Sequence, residues 1–305
     1  MTTLAGILHV VLALILAPLL PGIINRVKAK FAGRRGQPLL QAYYDLAKLL
    51  RKGAVYSRTT SLVFRLGPVA GLAAVATALL LVPLGGAPSV MAFPGDLLLL
   101  AYLLGLMRFL TVIAALDTGS AFEGMGASRE VQFSMLAEPA LLLGLAALAA
   151  CTGHLSLSGL MTALSAATWS SPAGPAVVLV AAAWLAVLLT ENARIPVDDP
   201  NTHLELTMIH EVMVLDHGGV DLGLIQYASA LKLWVFSALL AGVLLPVRTG
   251  VPLADLAVAV AAVLAVAVVV GVIESTMARL KLLRVPQMLV AAGVLAALAV
   301  ALVLR

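Results

Sequence analysis

Eight times along this chain, a run of about twenty apolar residues passes without the charge that a soluble helix would carry on its outer face. The runs cover about 4–25, 62–85, 95–116, 132–153, 174–194, 222–246, 251–274 and 286–304. Each is long enough to cross roughly 30 Å of hydrocarbon as a helix. In lipid every backbone N–H and C=O must be satisfied inside the segment, so helices are the open-ended solution. With 62% hydrophobic and 11% charged residues, nothing is left over for a second soluble domain. The pattern predicts an all-α polytopic membrane protein with about eight transmembrane helices, one domain over residues 1–305. Pro83 to Pro88, Pro172 to Pro175 and Pro246 to Pro252 punctuate the short connections. The first run lacks a basic leader and a small-residue cleavage site, and reads as a retained helix.

The formal charge of +4 is concentrated on one side. The expected loops at about 26–61, 117–131, 195–221 and 275–285, with their helix ends, hold nearly all of the Lys and Arg. The opposite side keeps only Arg248 and Arg305, and Lys232 lies inside the sixth run. The positive-inside bias then predicts cytoplasmic charged loops and both termini outside. Orientation thus accounts for the basic excess, which speaks against nucleic acid as a partner. Cys151 is the single cysteine, so a four-cysteine iron–sulfur cluster cannot be built from this chain alone.

Ionisable groups at membrane level are costly and are functional candidates by default. Between Glu191 and Asp221 stand Glu191, Asp198, Asp199, Glu205, Glu211, Asp216 and Asp221, with three of the five histidines. Pro196 and Pro200 stop the fifth helix, and HLELTMIHEVMVL reads as a new one after Asn201 or Thr202. On it His203, His210 and Glu211 share a face, but HEVMV is not the H-E-x-x-H metalloenzyme pattern and no metal site is assigned. Glu138 lies about seven residues past the expected start of the fourth helix, roughly 10 Å in at 1.5 Å per residue. It is a candidate proton-exchanging carboxylate or a neutral, hydrogen-bonded one. Lys232 is expected to pair with a glutamate across helices. Asp117, Glu123, Arg129 and Glu130 fall in a small-residue loop where ion pairing among themselves would explain them, and Asp45 and Lys48 are spaced to pair on an amphipathic segment. That segment suits either lipid headgroups or a docked protein. His9 and His154 read as incidental. No P-loop, Rossmann glycine pattern or nucleophile elbow is present, so no active site is assigned to this chain.

Four blocks in order, RRGQPLLQAYYDLAKLLRK, GASREVQFSMLAEPALLLG, ENARIPVDDPNTHLELTMIHEVMVLDHGG and ESTMARLKLLRVPQML, resemble the membrane subunit related to subunit 1 of respiratory complex I. More closely, they resemble its counterpart in group 4 membrane-bound NiFe hydrogenases, of the formate hydrogenlyase and hydrogenase-4 type. Gln37 stands where that family more usually has proline. The resemblance implies an eight-helix fold in a prokaryotic cytoplasmic (inner) membrane. It also implies a role in docking a soluble redox arm and linking it to proton or sodium translocation. Implied partners are the hydrogenase large and small subunits, an iron–sulfur subunit and antiporter-like membrane subunits, besides lipid. The NiFe centre and iron–sulfur clusters would sit on those partners, with no cofactor on this chain. Proton-path candidates are Glu138, Glu191, Asp198, Asp199, Glu205, Glu211 and Lys232. Docking candidates are Arg34, Arg35, Asp45, Lys48, Arg129, Glu130, Arg279 and Arg284. The acidic loop departs from the complex I form, which argues against quinone. A complex I subunit with a quinone chamber and a stand-alone ion transporter are the alternatives.

Overall fold

In a computed structural model, which describes residues 2–199, 208–246 and 248–305, the chain is helical throughout its regular structure. The helices are α1 Thr2–Leu16, α2 Leu19–Phe31, α3 Gln41–Leu49, α4 Leu62–Leu81, α5 Asp96–Asp117 and α6 Ala121–Thr152. They continue as α7 Leu157–Ala163, α8 Ala166–Trp169, α9 Gly174–Glu191, α10 Gly219–Leu244, α11 Pro252–Thr276 and α12 Val285–Val303. Among the described residues seven segments are long and apolar enough to cross a membrane, and the bent pair α1–α2, taken as one broken span, makes eight. This is a multi-pass membrane protein. Its count of spans matches the apolar runs.

The spans are not equivalent. The apolar stretch of α10 is 78% buried inside the protein, against 61% or less for the others. A helix that is apolar all round belongs in the middle of a bundle, and α10 touches α1, α2, α3, α4, α9 and α11. Around it α4 packs on α5, α12 on α6 and α9, and α2 on α11. Lys232 is therefore carried by the most enclosed helix.

Three expectations are corrected. The first run is two helices meeting at 50°, not one. Pro18 has no N–H to offer the carbonyl of Leu14, and its ring crowds that turn. The Leu14 carbonyl instead accepts from Tyr227 Oη at 2.8 Å, and that of Ile15 from Tyr43 Oη at 2.6 Å. The expected loop over 117–131 is mostly helix, because α6 starts at Ala121 after Ser120 and runs 32 residues. Its small residues let the polypeptide at 209–213 lie directly on it: a Cβ at Gly126 would stand 2.9 Å from the Ile209 carbonyl and closer still to Val212. The depth of Glu138 is consequently not measured from Val131. The helix expected after Thr202 is, among the described residues, only a 3-10 turn at Glu211–Val214. His203 and Glu205 lie outside the described residues.

Candidate functional site

Glu191 ends α9 and points into the bundle, where its carboxylate is buried between two cations. Lys232 Nζ of α10 lies 2.8 Å from one oxygen, and Arg108 Nη2 of α5 lies 3.1 Å from the other. The same guanidinium reaches α6, with Nη1 3.2 Å from Glu138 and Nε 3.9 Å from Glu130. Glu130 and Glu138 are eight apart on one helix, so they share the face turned to Arg108. Four helices thus meet in one ionic cluster of three carboxylates and two cations. Such pairs are worth holding only because each buried charge has a partner; removing one typically costs about 3–5 kcal/mol. Among the described residues of the cluster one carboxylate is in excess, and a single proton balances the set. Glu138 closes the cluster at its outer edge, with 44% of its side chain exposed on the flank of the bundle.

Beside Glu191 is a cavity of about 260 Å³. Pro18 and Pro21 at the α1–α2 break, Asp45 and Leu46 of α3, and Glu191, Arg194, His210, Glu211 and Lys232 line it. Its wall is set by the end of α9. Asn192, Ala193 and Arg194 turn back on the helix, the N–H of Arg194 donating to the Leu189 carbonyl at 2.8 Å and that of Ala193 to Thr190 at 3.2 Å. This is a Schellman turn, with Ala193 at φ 49° in the position glycine usually takes. Burial holds the imidazole of half-buried His210 below its ordinary pKa, with Lys232 adding to the effect and Glu211, Asp198 and Glu191 opposing it.

Asp198 is in place but saturated. It is buried and accepts from the N–H groups of Asp199, Ile209 and His210 at 2.9–3.1 Å and from Arg279 Nη2 at 2.8 Å. That arrangement holds a loop together and leaves little free acceptor capacity for relaying a proton. Asp199 lies 4.0 Å from Lys28, at the rim of a second ionic group in which Lys28 and Arg194 hold the buried Glu274.

Several docking candidates are spent inside the protein. Arg279 binds Asp198, Arg129 donates to the Met208 carbonyl at 2.9 Å, and Glu130 faces Arg108. Asp45 accepts from Gln41 at 2.9 Å rather than meeting Lys48. The ion pairing expected among Asp117, Glu123, Arg129 and Glu130 does not occur as such: Asp117 accepts from the Ser61 N–H at 2.6 Å and Glu123 from that of Asp216 at 3.1 Å. Arg34, Arg35, Lys48 and Arg284 are exposed. His9 is buried and engaged, its Nε2 taking the Trp234 indole N–H at 3.3 Å. Arg108, Arg194, Lys28 and Glu274 were not singled out by sequence reasoning. An arginine within the run 95–116 was the available signal for the first of them. Among the described residues no group of three or more His, Cys, Asp or Glu is arranged to hold a metal ion.

A model of the NADH dehydrogenase family matches residues 4–305. The chain belongs to that family. Within it, the chain is similar to hydrogenase-4 component C of Escherichia coli (strain K12), 33% identical over 275 residues that cover 88% of this chain and 85% of that one. It is equally similar to formate hydrogenlyase subunit 4 of the same organism, 32% identical over 291 residues and 92% of each chain. It shares its fold with a chain of the membrane-bound sulfane sulfur reductase, an archaeal respiratory membrane complex, at a TM-score of 0.84 and 24% identity over 99% of both chains. As an NADH dehydrogenase family member related to hydrogenase components, the chain matches the resemblance carried by its four sequence blocks.

Proposed function

We propose that this protein is the membrane subunit on which the soluble arm of a hydrogenase-type complex docks, and that it couples the arm's electron transfer to proton movement. The observation that carries the reading is the cluster around Glu191: three carboxylates and two cations, enclosed among four helices, adjoining a cavity at one end and the exposed flank of Glu138 at the other. A set one charge short of neutrality takes up or releases a proton at small cost, because the counter-charges are already in place. The fixed guanidinium and ammonium repel a metal cation, which favours protons over sodium. Kinship with hydrogenase-4 component C and formate hydrogenlyase subunit 4 supports a hydrogenase-type assembly, with the NiFe centre and iron–sulfur clusters on partner subunits. In this reading the cation-rich loops are cytoplasmic, both termini are outside, and antiporter-like subunits cover the Glu138 flank.

The test is Glu138→Gln, which keeps shape and hydrogen bonding and removes titration. The complex assembles, the soluble redox half-reaction is unchanged, and redox-driven acidification of vesicles falls severalfold. Normal acidification at normal assembly makes Glu138 a structural residue. The cavity supports a second reading, a quinone chamber of the complex I kind, which labelling of this chain by a photoreactive quinone analogue would reveal.

A further inference from the structure

Outside the Glu191 cluster, Glu274 in the last turn of α11 has a side chain fully shielded from solvent. Two cations from other parts of the chain reach it. Lys28 Nζ of α2 lies 2.8 Å from Oε2, and Arg194 Nη1, from the turn after α9, lies 3.6 Å from Oε1. The approach of α2 is made possible one turn earlier on the same face of α11. A Cβ on Gly271 would lie 2.8 Å from Val27 Cβ and 3.2 Å from the Ile24 carbonyl, so any larger residue pushes Lys28 away.

The two cations differ in what else they can pair with. Lys28 also has Asp199 at 4.0 Å, on the more exposed side. Arg194 is 11% exposed and lines the cavity together with Glu191, Glu211 and Lys232. A largely desolvated guanidinium that loses its carboxylate turns to another within reach, because a buried charge without a partner costs several kcal/mol. Glu191 and Glu211 line the same cavity as Arg194. Glu191 already has Arg108 and Lys232, and a third cation would erase the charge imbalance from which proton exchange follows.

We propose that Glu274 is a positioning residue of this site: by holding Arg194 at the cavity wall and Lys28 beside it, it keeps a third cation off Glu191. Its action on the site runs through Arg194, and the coupling part of the proposal rests on the function argued above. Lys28 and Arg194 face Glu274 from α2 and from the turn after α9, and Asp199 is the nearby acid that competes for Lys28.

The experiment is a cycle of Glu274→Gln, Arg194→Gln and the double variant in the assembled complex, read as protons moved per electron. Glu274→Gln loses most of the redox-driven acidification while the soluble half-reaction continues, and adding Arg194→Gln restores at least half of it. A purely structural Glu274 gives a double variant no better than the single one. That result, or undiminished coupling in Glu274→Gln, overturns the proposal. Should the unaltered complex move no protons, the proposed function fails by itself. The positioning is then decided on the full chain in nanodiscs by thermal unfolding of the same cycle. Partners in one ionic group give non-additive shifts in melting temperature, whereas additive shifts overturn the link between Glu274 and Arg194.

Discussion

Arg108 serves three carboxylates at once, and only a guanidinium can do so, since its donors fan out in a plane while a lysine ammonium is a single point. Glu191 and Lys232 stand out in the sequence because each interrupts an apolar run. Arg108 does the same, yet it also adds to the positive side of the molecule, and orientation alone suffices to explain it there. His217 is a quieter case. Its ring is buried and stacks on Phe64 of α4 with centroids 3.8 Å apart and planes 7° from parallel. Burial lowers its pKa below the ordinary value, and Asp221 and Asp216 pull the other way without offsetting it. The unfolded chain therefore takes up a proton before the folded one. The contribution of His217 to stability is intact above about pH 6.5 and declines as pH falls below it toward the folded-state value. Hydrogen-exchange protection over 211–218, measured against the intrinsic rate at each pH, is expected to fall in mildly acid buffer, and His217→Phe, which keeps the stack, is expected to flatten that response. Equal acid sensitivity in both proteins would clear His217 of it.

At the scale of elements, the most informative feature is how helices end. The α1–α2 break is written in Pro18, but apolar composition on both sides conceals it from a count of hydrophobic residues. The two tyrosines that take up the freed carbonyls come from 28 and 213 residues away, and no local pattern announces them. The start of α6 is hard to place for the opposite reason. Gly124, Gly126 and Ser128 weaken helix propensity, and packing beneath the polypeptide at 209–213 overrides it. The end of α9 yields a prediction. An alanine in the left-handed region costs about 1–2 kcal/mol relative to glycine, part of which glycine gives back in chain entropy. Ala193→Gly should therefore stabilise the protein by up to about 1 kcal/mol and raise its melting temperature in detergent. A fall would mean that the methyl group packs usefully against its surroundings.

For the whole molecule, charge is sorted to one end. Of the cations expected there, Arg129, Arg194, Arg279 and Lys28 are occupied by partners within the protein. The segment 32–40 instead presents Arg34 and Arg35 outward, shaped from behind by Arg26, which donates to the Arg35 carbonyl at 2.8 Å. If this segment is a dock, Arg34→Glu with Arg35→Glu releases the soluble arm while the chain still inserts, as copurification at physiological salt would read. An arm that stays bound removes the docking role from this loop.

Membrane class, helical architecture and the number of spans follow from the sequence alone, because hydrocarbon leaves the backbone no solution but a helix wherever some twenty apolar residues run together. Which ionisable groups are saturated by local partners and which are shared between distant ones was decided only by the tertiary structure. Asp198 and Glu191 look alike in sequence, two acids seven residues apart. One is saturated by three backbone N–H groups and an arginine, and the other is shared between cations from α5 and α10. The partners of a buried charge are set by which helices lie side by side, and that is a property of packing between residues tens to hundreds of positions apart.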